Sequence, residues 1–299
     1  MFLPKAGAKL IGQGITGSEG STATPWMTEY GTNIVAGVTP GKGGQNLSGI
    51  PIFNTLKEAL IQTGKVDGTF QYVPPLFVKD AALEAIEAGV KFILIGAEKV
   101  PTKDSAIIVS YAKEKNVTLI GPSSVGIISP SRKIKIGSIG GGNPNRVFTP
   151  GNIAIISKSG GMTSEIGLHL KNNGLGVSWA VGIGGDRMIG SDFADFLMEM
   201  ENDSETKASV IFGELGGTYE EKVAELVKGG RIKKPVVAFI AGEFTLTLPS
   251  EVQFGHAGAI IEGGRGKPDY KRQVLRDAGV GVADDFDNIA KLVKESLNV

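Results

Sequence analysis

Short apolar runs alternate along the chain with stretches whose apolar residues recur every three or four positions. In the first half the runs are Lys9–Gly12, Ile34–Val38, Thr69–Val73, Phe92–Ile95 and Thr118–Ile120. Helical patterns lie between them, over Pro25–Tyr30, Thr55–Thr63, Val78–Ala88 and Asp104–Lys115, with Leu83, Ile86 and Val90 on one face. Thr24 and Pro25 read as an N-cap and a first-turn proline. The second half repeats the scheme. Strands are expected at Ile153–Ile156, Val177–Val181, Ser209–Phe212, Val236–Ile240 and Val280–Ala283. Helices are expected at Met162–Asn172, Asp192–Asn202, Tyr219–Lys228, Pro268–Ala278 and Phe286–Leu297. Strands alternating with helices mean parallel sheets covered on both faces. The fold class is therefore α/β, with two doubly wound parallel-sheet domains over 1–130 and 151–299. The Gly-, Asn- and Pro-rich stretch within 131–150 is expected to be a linker.

Glycine changes this picture most. The chain has 44 glycines in 299 residues, clustered at the ends of apolar runs, where bare backbone lets amides approach a ligand. Gly12-Gln13-Gly14-Ile15-Thr16-Gly17 follows the first strand and fits the dinucleotide fingerprint, with Ser18-Glu19-Gly20 delaying the helix. That fingerprint wants an acidic residue at the end of the second strand for a ribose. Here the second strand ends in Thr39-Pro40-Gly41-Lys42-Gly43-Gly44, and a lysine among glycines suits a phosphate better. A phosphate-rich nucleotide such as CoA fits better than a nicotinamide cofactor. Tyr72-Val73-Pro74-Pro75 reads equally as an apolar wall for such a ligand or as a structural turn.

Charge and composition exclude several classes. Lys+Arg and Asp+Glu are 31 each, so the net charge is zero. No basic footprint for nucleic acid and no polybasic surface for anionic membranes is present. Cysteine is absent, so neither disulfides nor Cys-ligated metal is expected. No run has the length of a membrane span, and the first residues do not read as a signal peptide. A cytoplasmic protein without a metal site of its own is expected.

Two histidines are present. His169 lies within a helical pattern and reads as an ordinary helical histidine. His256 sits in Phe254-Gly255-His256-Ala257-Gly258-Ala259, among small residues that leave the imidazole open to a large group. Without a Ser-His-Asp pattern or a second metal ligand nearby, it is a general base or a nucleophile. A nucleophilic imidazole needs a carboxylate on its other nitrogen, and Glu214, at the end of a strand, is the candidate. Ser157-Lys158-Ser159-Gly160-Gly161-Met162-Thr163 joins a strand to a helix. Its free amides, with the Ser159 and Thr163 hydroxyls, form a candidate phosphate cradle.

Gly255-His256-Ala257-Gly258-Ala259-Ile260-Ile261 with Gly263-Gly264-Arg265-Gly266 resembles the phosphohistidine segment of the succinyl-CoA synthetase alpha subunits. The segments 12–20, 37–44, 72–74, 121–122 and 213–214 follow that family's order, so the resemblance spans essentially the whole chain. It implies a Rossmann-like CoA-binding domain, then a flavodoxin-like ligase domain, and a larger ATP-grasp partner binding ATP with Mg. No ATP-grasp module is expected in this chain. It also implies that His256 carries phosphate, that Glu214 orients it, and that Ser159, Gly160, Gly161 and Thr163 bind the phosphate. CoA contacts carried over are Thr16, Gly17, Ser18, Glu19, Lys42, Tyr72, Val73, Pro74, Gly96, Ala97 and Glu98. Gly96 and Ala97 stand where the family pattern bears hydroxyls, and Ser164 stands where it bears a substrate-side tyrosine. Several stretches, Ser159–Met162, Gly184–Arg187 and Ser250–Ala259, look more like ATP citrate lyase. No citrate-synthase-like domain of that enzyme is expected with this core, so the resemblance implies the small subunit of citryl-CoA synthetase. Phosphate from ATP would pass through phosphohistidine to the carboxylate, and the mixed anhydride would meet the CoA thiol. The alternatives are a succinyl-CoA synthetase alpha subunit and a non-catalytic CoA or nucleotide binder.

Overall fold

The computed structural model describes residues 1–242, 256 and 266–299. The glycine-rich surroundings of His256, at 250–255 and 257–265, lie outside the described residues.

The first half begins with β1 (Lys9–Gln13), α1 (Ser18–Tyr30), β2 (Asn33–Val38), β3 (Asn46–Leu47), β4 (Ile50–Phe53) and α2 (Leu56–Thr63). It continues with β5 (Gly68–Gln71), α3 (Val78–Glu87), β6 (Phe92–Ile95), α4 (Thr102–Glu114) and β7 (Thr118–Ile120). These strands form one sheet in the order β3-β4-β2-β1-β5-β6-β7, parallel except for the short β3–β4 hairpin. Residues buried on both faces make the central strands continuous apolar runs; Phe92, Ile93, Leu94 and Ile95 are all fully buried.

The second half holds β8 (Gly126–Ser129), β9 (Ile134–Gly137), β10 (Pro150–Ser157), α5 (Gly160–Asn172), β11 (Val177–Gly182), α6 (Phe193–Asn202) and β12 (Ala208–Gly213). After these come α7 (Tyr219–Lys228), β13 (Val236–Ile240), α8 (Pro268–Asp277), β14 (Gly281–Ala283) and α9 (Asn288–Leu297). Its sheet runs β14-β13-β12-β10-β11-β8-β9, with the last two strands antiparallel.

Two expectations change. The stretch 131–150 is not all linker: β9 within it pairs with β8 and extends the second sheet. The apolar alternation Ile134-Lys135-Ile136 buries against the first domain, where the Gly137 N–H donates to Met27 Sδ at 3.0 Å and the Thr32 hydroxyl to the Lys135 carbonyl. The hairpin thereby joins the two halves through one apolar cluster containing Met27, Ile134, Ile136 and Trp179. Second, α1 starts at Ser18 and runs through Pro25 rather than starting there. The turn closed by Gly17 N–H to the Gly14 carbonyl at 3.1 Å leads straight into the helix. Packing of Ala23, Thr24 and Met27 outweighs the ladder bond lost at Pro25. His169 packs its ring at a tilt against Phe286, with centroids 5.1 Å apart, as a packed helical side chain.

Candidate functional site

The carboxyl ends of the two parallel sheets open onto one cleft of about 960 Å³. Ligands in such sheets sit at these ends because the following helices present free amides there. Each domain contributes one 13-residue helix. The first turn of α1 brings Gly17, Ser18 and Glu19 to the cleft wall, and that of α5 brings Ser159, Gly160 and Gly161. Gly17 has no capping side chain, so the first amides of α1 stay free for an anion. The Ser159 hydroxyl caps α5 loosely, accepting from the Met162 N–H at 3.4 Å.

Gly14 shapes the first loop. Its φ is +79°, and a Cβ there would come within 2.5 Å of the Tyr72 carbonyl oxygen. The Thr16 hydroxyl donates to the Thr39 hydroxyl at 3.1 Å, so the loops after β1 and β2 are tied together beside Lys42. The Lys42 loop is itself held by Asn54, whose side-chain oxygen accepts from the Gly41 and Gly43 amides at 2.9 and 3.0 Å. Tyr72, Val73 and Pro74 form another wall. Tyr72 sits edge-on to Phe70, and burial pushes its phenol up to about 12, so the ring is neutral. Gly96 has a packing reason to be small: a Cβ there would lie 2.8 Å from the Tyr72 ring. Ala97 and Glu98 line the same side.

His256 also borders this cleft. Its Nδ1 lies 2.9 and 3.0 Å from the two carboxylate oxygens of Glu214, which follows β12. The His256 side chain is 34% exposed and that of Glu214 14%. A carboxylate only accepts, so Nδ1 carries the proton and Nε2 is the nitrogen left for chemistry. The Glu214 hydrogen bond raises the imidazole pKa above its ordinary value, against the opposing effect of burial. Glu98 adds to this rise and Lys158 works against it. Asp186, whose own carboxyl is raised mainly by burial, also faces the ring electrostatically. The ring lies against Gly185: a Cβ there would fall 2.3 Å from its Cδ2 and Cγ.

The structure thus brings His256, Glu98, Lys42, Thr16 and both helix N-termini around one space, with Glu214 behind the imidazole. It does not bring in Thr163. That hydroxyl is buried and donates to the Ser159 carbonyl one turn back at 2.7 Å, the usual alternative for a threonine inside a helix. Ser164 is half-buried on α5 and does not line the cleft. Sequence reasoning missed Thr39, Ser123, Ser124, Val125 and Ser138 along the wall. Thr39 opens the run that carries the lysine loop, and Ser123, Ser124 and Val125 follow Gly121-Pro122 of the resemblance without having been assigned a role; Ser138 carried no motif. Gly185 was visible as one of many glycine pairs and within the lyase-like stretch Gly184–Arg187, but not as a neighbour of His256. Among the described residues no group of three or more His, Asp or Glu is arranged to hold a metal ion. No described helix is long and apolar enough to cross a membrane.

Residues 6–99 match the CoA binding domain family and residues 156–282 the CoA-ligase family. The alpha 1 subunit of an ADP-forming succinate–CoA ligase from Archaeoglobus fulgidus is 45% identical over 97% of this chain and 96% of its own length. The chain belongs to the small-subunit family of the succinate–CoA ligases. The two matched domains make it a subunit of an acid–thiol ligase. A subunit of an ADP-forming sulfoacetate–CoA ligase from an Acholeplasma species is 43% identical over 96% of this chain and 95% of its own. The solved ATP citrate lyase of Methanothrix soehngenii, in complex with citrate and coenzyme A, superposes with a TM-score of 0.90 at 26% identity. That match covers 99% of this chain and 50% of the lyase, so this chain spans about half the lyase's length. The two full-length relatives, at 43–45% identity, are subunits of a succinate– and a sulfoacetate–CoA ligase, which changes the weight of the substrate readings.

Proposed function

We propose that the chain is the CoA-binding, phosphohistidine-bearing subunit of a nucleoside-diphosphate-forming acyl-CoA ligase, with succinate as its acid. The observation that carries this reading is the imidazole held by Glu214 at Nδ1 in the same cleft as the N-termini of α1 and α5. Nε2 attacks the γ-phosphorus of ATP as the bond to the bridging oxygen breaks and ADP leaves, with Glu214 stabilising the cation formed on the ring. A carboxylate oxygen of the acid then takes the phosphoryl group from Nε2, and the CoA thiolate displaces inorganic phosphate from the acyl phosphate. The α5 N-terminus, through Ser159, Gly160 and Gly161, faces the phosphate. CoA lies along Thr16, Gly17, Ser18, Glu19, Lys42 and the Tyr72–Pro74 wall, with Gly96, Ala97 and Glu98 opposite. Thr163 supports the Ser159 carbonyl rather than the phosphate. Ser164 remains a substrate-side candidate only if the partner closes over α5. A larger ATP-grasp subunit supplies ATP with Mg, in the cytoplasm, and the pair works as a hetero-oligomer.

Succinate is favoured by full-length identity of 45% to a succinate–CoA ligase subunit. Citrate is the second reading, favoured by the lyase-like stretches Ser159–Met162 and Gly184–Arg187 and by the fold match to the lyase. The test is to reconstitute the chain with its partner and labelled ATP. An acid-labile, base-stable phosphoprotein is expected, lost in His256→Asn; label retained in that variant refutes the assignment. Turnover with succinate and citrate side by side decides the acid.

A further inference from the structure

Beneath Glu214 lies a buried charge cluster that the chemistry above does not use. The side chains of Lys271 on α8 and Glu220 on α7 are both fully buried, and Lys158, after β10, is 5% exposed. Lys271 Nζ donates to Glu220 Oε2 at 2.6 Å, to the Gly216 carbonyl at 2.6 Å and to the Glu214 carbonyl at 2.9 Å. These three acceptors saturate an ammonium group. Lys158 Nζ stands 3.6 Å from Glu220 Oε1 and 3.4 Å from the Gly216 carbonyl, over the Tyr219 ring. Burial opposes ionisation of Glu220, but the two lysines outweigh it and hold its carboxyl below the usual range. Gly213 makes room for it, since a Cβ there would lie 2.4 Å from Glu220 Oε1.

Buried ion pairs are weak sources of stability, because apolar residues of the same volume often serve as well. What this cluster does instead is bond the backbone. Two carbonyls of the loop between β12 and α7, those of Glu214 and Gly216, accept from one ammonium. The Gly216 N–H also donates to the Gly266 carbonyl at 2.8 Å, on the segment leading from His256 into α8. Lys158 directly precedes Ser159, the cap of α5. One cluster therefore references three parts of the site to each other.

We propose that Lys271, anchored on Glu220, is a positioning residue that locks the Glu214–Gly216 backbone so that the Glu214 carboxylate stays against Nδ1 of His256. It touches neither the imidazole nor any reacting atom. The proposal deepens the phosphohistidine reading and rests on it for its catalytic consequence, but not for its geometry.

The test compares the full chain with Lys271→Met and with Lys271→Met/Glu220→Gln, the second removing the carboxylate that the first leaves under-compensated. The His256 imidazole is titrated by NMR, with Glu214, Glu98, Asp186 and Lys158 as the charged groups facing it. In both variants its pKa should fall toward the ordinary imidazole value. Phosphorylation of the reconstituted pair should slow by about ten- to a hundredfold, as expected when a partner orienting a reactive ligand is lost. CoA affinity should be unchanged, since its wall lies largely in the first domain. A folded variant with the wild-type His256 titration and the wild-type phosphorylation rate overturns the proposal. If the wild-type pair itself gains no acid-labile phosphate, the phosphohistidine reading fails, while the titration still decides the role of Lys271.

Discussion

Gly185→Ala is the sharpest probe of the site, because it perturbs the imidazole without touching its chemistry. The added Cβ would fall 2.3 Å from Cδ2 and Cγ of His256 and 2.7 Å from Nδ1. Ordinary contact begins at 3.4 Å, so the ring must retreat by about 1 Å. The backbone at Gly185 has no left-handed φ, so alanine brings a steric change and no conformational strain. The displacement exceeds the margin of a few tenths of an ångström within which the Glu214 contact, now 2.9 Å, remains a hydrogen bond. A misplacement of about 1 Å at a reacting group costs on the order of a hundredfold in rate. The assay is single-turnover phosphorylation of the reconstituted pair by labelled ATP, with calorimetric CoA binding as a control. A slow rate with unchanged CoA affinity is expected. A rate within about twofold of wild type, with the alanine confirmed and the fold intact, would show that His256 works from some other position and would refute the geometry.

Two further perturbations separate the halves of the cleft. In Glu214→Gln the imidazole loses the partner that raises its pKa, so the sign of the stability change follows from linkage. A group whose folded pKa is raised contributes stability that is fully present below its unfolded value, about 6.5, and fades as pH rises through the folded value. The variant's melting temperature should therefore lie furthest below wild type between about pH 5 and 6.5 and converge with it at alkaline pH; a constant offset across that range would exclude the pairing. Lys42→Gln removes an exposed charge, worth on the order of 1 kcal/mol or about fivefold in CoA affinity, and should weaken the salt dependence of binding. Isothermal titration at two ionic strengths checks it, and unchanged affinity would take Lys42 out of the CoA site.

All ten strands expected from apolar runs are present, because strands buried on both faces write themselves as continuous hydrophobic segments. The two hairpins were not legible. β3 has two residues, and β8 and β9 have four each, flanked by glycine, serine and proline that read as loop. The start of α1 was misplaced because Pro25 mimics a first-turn residue, whereas packing alone keeps it inside the helix. At the site, Gly17, Ser159 and Lys42 were legible because helix N-termini and glycine loops have local signatures. Glu214 was reached through the chemistry a nucleophilic imidazole demands and through the resemblance at 213–214, not through a local pattern, since it lies 42 residues from His256. Lys271 and Glu220 left no signal at all. A lysine and a glutamate in amphipathic helices look solvated until tertiary structure buries them.

Charge explains why the cleft is built from two helices rather than one. His256 is faced by Glu214, Glu98 and Asp186, an arrangement that favours a protonated ring but opposes an arriving phosphoryl dianion. Lys158, partly neutralised by Glu220, offsets little of this. The missing positive potential has to come from groups that carry no titratable proton and do not compete with Glu214 for the imidazole. Backbone amides at a helix N-terminus meet that condition, each end acting as roughly half a positive charge. One end, at Gly160 and Gly161, borders the histidine side of the cleft; the other, at Gly17 and Ser18, is free for the phosphates of a second ligand. A single helix would have to choose between them. On the proposed function, two domains, each ending a parallel sheet in a glycine-rich turn, would let one cleft hold the imidazole, its transferred phosphate and a phosphate-bearing thiol carrier together.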